Sequence, residues 1–241
     1  YCPVGKVLAV LFAQIKKLYG IGSTEITVPV WHKDVRYSEL QQNGETIGGV
    51  YMDLYAREGK RGGAWMNDYK GRRRFADGTL QLPTAYLVCN FTPPVGGREA
   101  RLSHDEILTL FHETGHGLHH LLTQVDELGV SGINGVEWDA VELPSQIMEN
   151  FVWEYNVLMQ MSAHEETGVP LVIGHPRPRT TINGFLFPYI FLYRLLSNSS
   201  PFFSRLNAMT ASLRMMATMI TLGGLPFALS LAVKSGNAPI L

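Results

Sequence analysis

The chain has 241 residues, 46% of them apolar, which is enough to bury a core, and its formal charge of −1 leaves no electrostatic footprint for a nucleic-acid partner. Its two cysteines, Cys2 and Cys89, exclude a disulfide framework and fit a reducing, cytoplasmic setting. No N-terminal signal pattern, internal repeat or low-complexity tract is present.

In chain order, the apolar periodicity of the opening segment predicts a helix over Val4 to Tyr19. Asp34 to Leu40 and Thr46 to Tyr55 read as strands flanking Asn43-Gly44, a dipeptide that favours a tight hairpin turn. The basic run Arg72, Arg73, Arg74 reads as a solvated face, with steering of acidic peptides as the alternative. Pro83 to Phe91 reads as a further strand. These strands read as paired inner strands, with the taking of peptide backbone by strand addition on one of them as the alternative. Helices are expected over Ser103 to Leu122 and Ala140 to Met161, which makes the whole an α+β core, mainly helical with a small antiparallel sheet. Trp65, Trp138 and Trp153 read as packing residues.

The Ser103 to Leu122 helix carries the chemistry. Ser103 is a plausible N-cap with Glu106 as its capping-box partner, and the stretch contains His112-Glu113-Thr114-Gly115-His116. At about 3.6 residues per turn, His112 and His116 share one helix face and can bind one divalent metal, with Glu113 beside the water such a metal carries. Gly115 and Gly117 each weaken the helix by up to about 1 kcal/mol relative to Ala, so close approach by a neighbouring helix or by substrate is expected there. His119 and His120 follow the motif and read as last-turn residues favoured by the helix dipole, with metal ligation the alternative; His104 reads as a polar surface residue.

A catalytic zinc generally has three protein ligands. The spacing with a third His fails, because positions 119 and 122 are His119 and Leu122 where Gly and His would be needed. A Glu on a second helix is the remaining option, and the run Trp138 to Asn150 offers Glu142, 26 residues after His116. Glu149 lies two helical turns beyond Glu142, on the same face. The alternative for these residues is a buried polar cluster without metal.

HETGHGLHHLL followed by SGINGVEWDAVELPSQIMENFVWE resembles the zinc-site region of the thimet oligopeptidase and oligopeptidase A family. VYMDLYAREGKRGGAW, LPTAYLVCNFTPPV and LSHDEILTLFHE resemble consecutive upstream blocks of the same family, nearest its bacterial oligopeptidase A branch. The resemblance implies a zincin-like catalytic region over residues 1–167 with one Zn²⁺ per chain. It implies His112, His116 and Glu142 as ligands, Glu113 as the catalytic base, and Glu149 as the carboxylate orienting a ligand His. It also implies an endopeptidase acting on short, unfolded peptides. The family's stabilising His and Tyr residues, in a glycine- and tyrosine-rich stretch towards the C-terminus, find no match here.

Composition breaks near residue 167. All 21 acidic residues fall in 1–166, against 14 Lys and Arg, a formal −7, while residues 167–241 hold six basic residues and no Asp or Glu. The segment 168–241 is therefore expected to be a distinct tail. Its uncharged run Met215 to Val233 is long enough for a membrane anchor, although Gly223, Gly224 and Pro226 interrupt it. A divergent helical subdomain and an altered reading frame are the other readings, and the last is favoured. In the resembled family a start like YCPVGKVLAVLFAQIKKLYGI lies deep inside a longer protein, so the chain is expected to be a fragment. A catalytically incomplete zinc-binding fragment and a membrane-anchored peptidase are accordingly the alternative functions.

Overall fold

The computed structural model describes residues 2–170. In chain order the elements are β1 (Cys2–Pro3), α1 (Val4–Tyr19), β2 (Ile21–Glu25), β3 (Arg36–Gln42), β4 (Glu45–Tyr55), β5 (Trp65–Lys70), β6 (Arg73–Arg74), β7 (Leu80–Gln81), β8 (Thr84–Phe91), β9 (Arg101–Leu102), α2 (His104–Leu121), α3 (Leu143–Phe151) and α4 (Tyr155–Met161). Five strands form one sheet in the order β2-β3-β4-β8-β5.

Local signals account for the first half. α1 buries Val4, Val7, Leu8, Leu11, Ile15 and Leu18, a stripe at helical spacing. It stops at Gly20, whose φ of 71° lets its N–H reach back to the Lys16 carbonyl at 2.9 Å. The β3–β4 hairpin turns on Asn43 and Gly44, with φ of 54° and 86°. Two successive positive φ values give the turn whose twist matches that of the flanking strands.

The sheet is mixed where an antiparallel one was expected. β4 runs parallel to β8, with Val50 opposite Ala85 and Met52 opposite Leu87. β5 is antiparallel to β8 and forms the edge. A parallel pair needs a long connection, and the residues between β4 and β8 supply it, carrying β5 to the far side of β8. The strands weighed for strand addition, β3, β4 and β8, are therefore inner strands. Helices and strands also take similar shares of the described residues, where helix was expected to predominate.

One sheet face carries Leu40, Val50, Met52, Leu54, Ala85, Leu87 and Cys89, all buried with α1 and α2 in a single core. The other face carries Tyr37, Tyr51 and Tyr86 on neighbouring strands, joined at the edge by Tyr69, with ring centroids 4.5, 5.4 and 5.1 Å apart. Trp31 lies over this row and gives its indole N–H to Asp53 at 3.0 Å.

The expected Ala140 to Met161 helix is two helices. Pro144 cannot donate to Ala140 and sits instead in the first turn of α3, where no donor is needed. At the other end, Val152, Trp153 and Glu154 bond three residues back, to Glu149, Asn150 and Phe151, which tightens and closes the helix before extended Glu154 caps α4. His104 does not stand free on the surface: its ring meets Trp153 edge-on at 4.4 Å and ties the start of α2 to this break. Trp65 and Trp153 are half-buried, whereas Trp138, expected to pack, is 93% exposed. Arg72 and Arg74 clasp Asp126 at 2.7 and 2.8 Å, and Arg73 lies over Phe75 at 4.2 Å, so the basic run is a fastening more than a free face. No helix among the described residues is long and apolar enough to cross a membrane, and Met215 to Val233 lies outside them.

Candidate metal centre

α2 starts as its sequence dictates. Ser103 Oγ accepts from the Glu106 N–H at 3.2 Å, and the Glu106 carboxylate accepts from the Ser103 N–H at 2.8 Å. From this fixed start the helix runs beneath the sheet, burying Ile107, Leu110, Phe111 and Leu118. His112 and His116 then fall on one face, rings nearly perpendicular with centroids 4.9 Å apart.

α3 brings the carboxylates. Glu142 Oε2 lies 3.2 Å from Nε2 of His112 and 3.2 Å from Nε2 of His116. Ligand atoms of the three residues lie within 4.8 Å of one another. The approach is close because Gly115 has no side chain: a Cβ there would collide with the Pro144 carbonyl oxygen and lie 2.5 Å from Ser145 Cα. Of the two expectations for this glycine, the neighbouring helix is the one met. Gly117 faces β8, where a Cβ would come 3.1 Å from Leu87 Cδ2.

The surrounding groups aim the donors. Glu149 Oε1 is 2.7 Å from His112 Nδ1. A carboxylate accepts, so Nδ1 carries the proton and Nε2 is left as a bare lone pair facing Glu142. Ser145, fully buried, donates its hydroxyl to Glu142 Oε2 at 2.8 Å and to the Glu142 carbonyl at 2.9 Å. The sequence reading missed Ser145, although its place three residues after Glu142 was the signal for a same-face partner.

Glu113 is buried beside this group, with Oε2 lacking a partner among the described residues. Burial raises its carboxyl above the ordinary glutamate range, outweighing the nearby His112 and a hydrogen bond from the Met66 backbone in β5. Burial likewise lowers the proton affinity of His116, against the pull of Glu142, which favours its neutral form. Two imidazole nitrogens and one carboxylate oxygen, with an orienting carboxylate behind one ring, form a donor set that fits a zinc ion. His119 and His120 are fully buried and stand outside the cluster.

The chain matches the sequence profile of peptidase family M3 over residues 1–186. It is similar to oligopeptidase A from Salmonella typhimurium, 58% identical over 173 residues, which is 71% of this chain and 25% of that protein. Organellar oligopeptidase A of Arabidopsis thaliana is 43% identical over 178 residues, 71% of this chain and 22% of that one. Saccharolysin of Saccharomyces cerevisiae is 36% identical over 166 residues, 66% of this chain and 23% of that one. The chain thus spans about a quarter of the length of the curated relatives it matches.

Proposed function

The chain belongs to peptidase family M3, and from that premise we propose that residues 1–167 form the zinc-binding, base-bearing region of an endopeptidase that hydrolyses short peptides. The observation that carries the reading is the convergence of His112 Nε2, His116 Nε2 and Glu142 Oε2 beside the buried Glu113. In this reading the two imidazoles and the Glu142 carboxylate hold one Zn²⁺, which when bound polarises the scissile carbonyl and makes water nucleophilic near neutral pH.

The chain's own residues do the rest. Glu113 is the general base: it takes a proton from water and delivers it to the leaving amine, a task suited to a carboxyl whose proton affinity burial has raised. Glu149 fixes the His112 ring and Ser145 fixes the Glu142 carboxylate. The edge strand β5 runs next to α2, so an extended peptide laid along it would be carried past Glu113. Trp138, exposed on the turn before Glu142, is open to substrate. Residues 168–241 are the separate tail in this proposal, and the two free cysteines suit a cytoplasmic setting.

The alternative reading is a region that binds zinc without turning over peptide by itself. One experiment separates them. The purified chain, loaded with equimolar Zn²⁺, is incubated with a short internally quenched peptide alongside Glu113→Gln. Cleavage that vanishes in the variant supports the peptidase; zinc retained without cleavage in either form selects the alternative; no zinc binding sinks both.

A further inference from the structure

His120 lies on α2 one turn beyond His116 and is completely buried, yet it takes no part in the donor cluster. Its Nε2 is 2.8 Å from the carbonyl oxygen of Lys70, the last residue of β5. A carbonyl can only accept, so Nε2 carries the proton and Nδ1 is bare. Gly132 presses on that bare side. It has φ of 65°, and a Cβ there would collide with His120 Nδ1 and come 3.1 Å from Cε1 and Cγ. A single side chain thus joins three pieces: the helix bearing His112 and His116, the end of the edge strand, and the loop that runs on to Glu142.

Other contacts join these last two pieces as well: the Arg74 N–H donates to the Asp126 carbonyl at 3.0 Å, and Leu128 lies against Gly71. Arg72 and Arg74 also pair with Asp126 just before the loop; the Arg74 side chain is 50% exposed, those of Arg72 and Asp126 19% and 28%. The more exposed Arg74 pair holds the backbone loosely. His120, by contrast, reaches the Lys70 carbonyl from a side chain that is itself fully buried.

We propose that His120 is a positioning residue, which sets the spacing between the metal-binding helix, the β5 edge and the loop that delivers Glu142. The inference rests on reading His112, His116 and Glu142 as the zinc ligands. It does not require His120 to touch metal or peptide.

The test uses the full chain and three variants. His120→Leu keeps volume but removes the donor, His120→Gln keeps an N–H within reach of Lys70, and Gly132→Ala disturbs the same contact from the loop side. Amide hydrogen exchange on the metal-free protein is expected to accelerate about tenfold over residues 65–72 and 128–142 in His120→Leu and Gly132→Ala, with β3 and β4 unchanged. Zinc affinity, read by chelator competition, is expected to fall about tenfold in those two and to recover in His120→Gln. Exchange that is unchanged in these segments, or raised evenly through the core, overturns the proposal, as does unaltered zinc affinity in both variants. Should the parent chain bind no zinc, the metal reading fails and the exchange pattern alone decides the role of His120. Should His120→Leu not fold, Gly132→Ala decides it.

Discussion

Two clusters of ionisable side chains sit at opposite ends of this sheet's chemistry. At the end of β4, Asp53 accepts from Arg57 at 2.6 and 2.8 Å, from Lys60 at 2.8 Å and from Trp31 at 3.0 Å. Lys60 also caps the carbonyls of Asp53, Tyr55 and Cys89. Every charge there is answered from within the chain. At the α2–α3 contact the opposite holds: Glu113 Oε2 and His116 Nδ1 are buried without partners among the described residues, and three donor atoms converge on one another. Buried polar groups are normally satisfied, so the first cluster reads as a structural knot, while the second is the group proposed above to hold zinc.

That contrast can be broken or sharpened by substitution. The largest effect is expected from Glu113→Gln, which should lower peptide turnover at least about a hundredfold with zinc still bound, because an amide cannot accept the water proton. Zinc content by metal analysis, beside the rate, checks this. Asp53→Ala should do the reverse. It leaves Lys60 buried without a counter-charge, costs about 3–5 kcal/mol in denaturant unfolding, and leaves zinc affinity of the folded protein unaltered. If Asp53→Ala instead weakens zinc binding in the folded protein, the two clusters are not separate.

Gly115→Ala probes the approach of α3. Its methyl would have to displace Pro144 and Ser145, so stability should fall by about 1–3 kcal/mol and the Glu142 carboxylate should move away from the histidines. Loss of zinc affinity greater than in Gly117→Ala, which meets only the flexible Leu87 side chain, is the expected signature.

The smallest effect is a pH dependence. Burial alone would raise the Asp53 carboxyl, but its hydrogen bonds from Arg57, Lys60 and Trp31 prevail and hold it at about 2. Its contribution to stability is therefore complete above the ordinary aspartate value of about 3.9 and is lost as pH falls towards 2. Acid unfolding of the parent should steepen in that window and that of Asp53→Asn should not. Equal slopes would mean the knot is not what acid undoes.

The contrast also divides what was legible. The Val4–Tyr19 helix, the Asn43-Gly44 turn and the Ser103–Glu106 capping box depend on residues within a few positions of one another, and the structure has all three as read. The pairing of His112 with His116 follows from helix pitch in the same way. The knot was invisible, because Asp53, Lys60 and Cys89 meet only when β4 and β8 lie side by side. The break between α3 and α4 and the exposure of Trp138 were likewise missed, since apolar periodicity continues across the first and composition says nothing of the second.

By itself the sequence determined the helix that carries the HExxH motif, its cap and its two histidines, for each rests on spacing along one chain segment. The tertiary structure alone decided that β4 and β8 run parallel, that β5 is the edge beside α2, that Gly115 admits α3, and that Ser145 meets Glu142 and His120 the end of β5. Those contacts join residues far apart in the chain, and only the burial of a shared core fixes which of them meet.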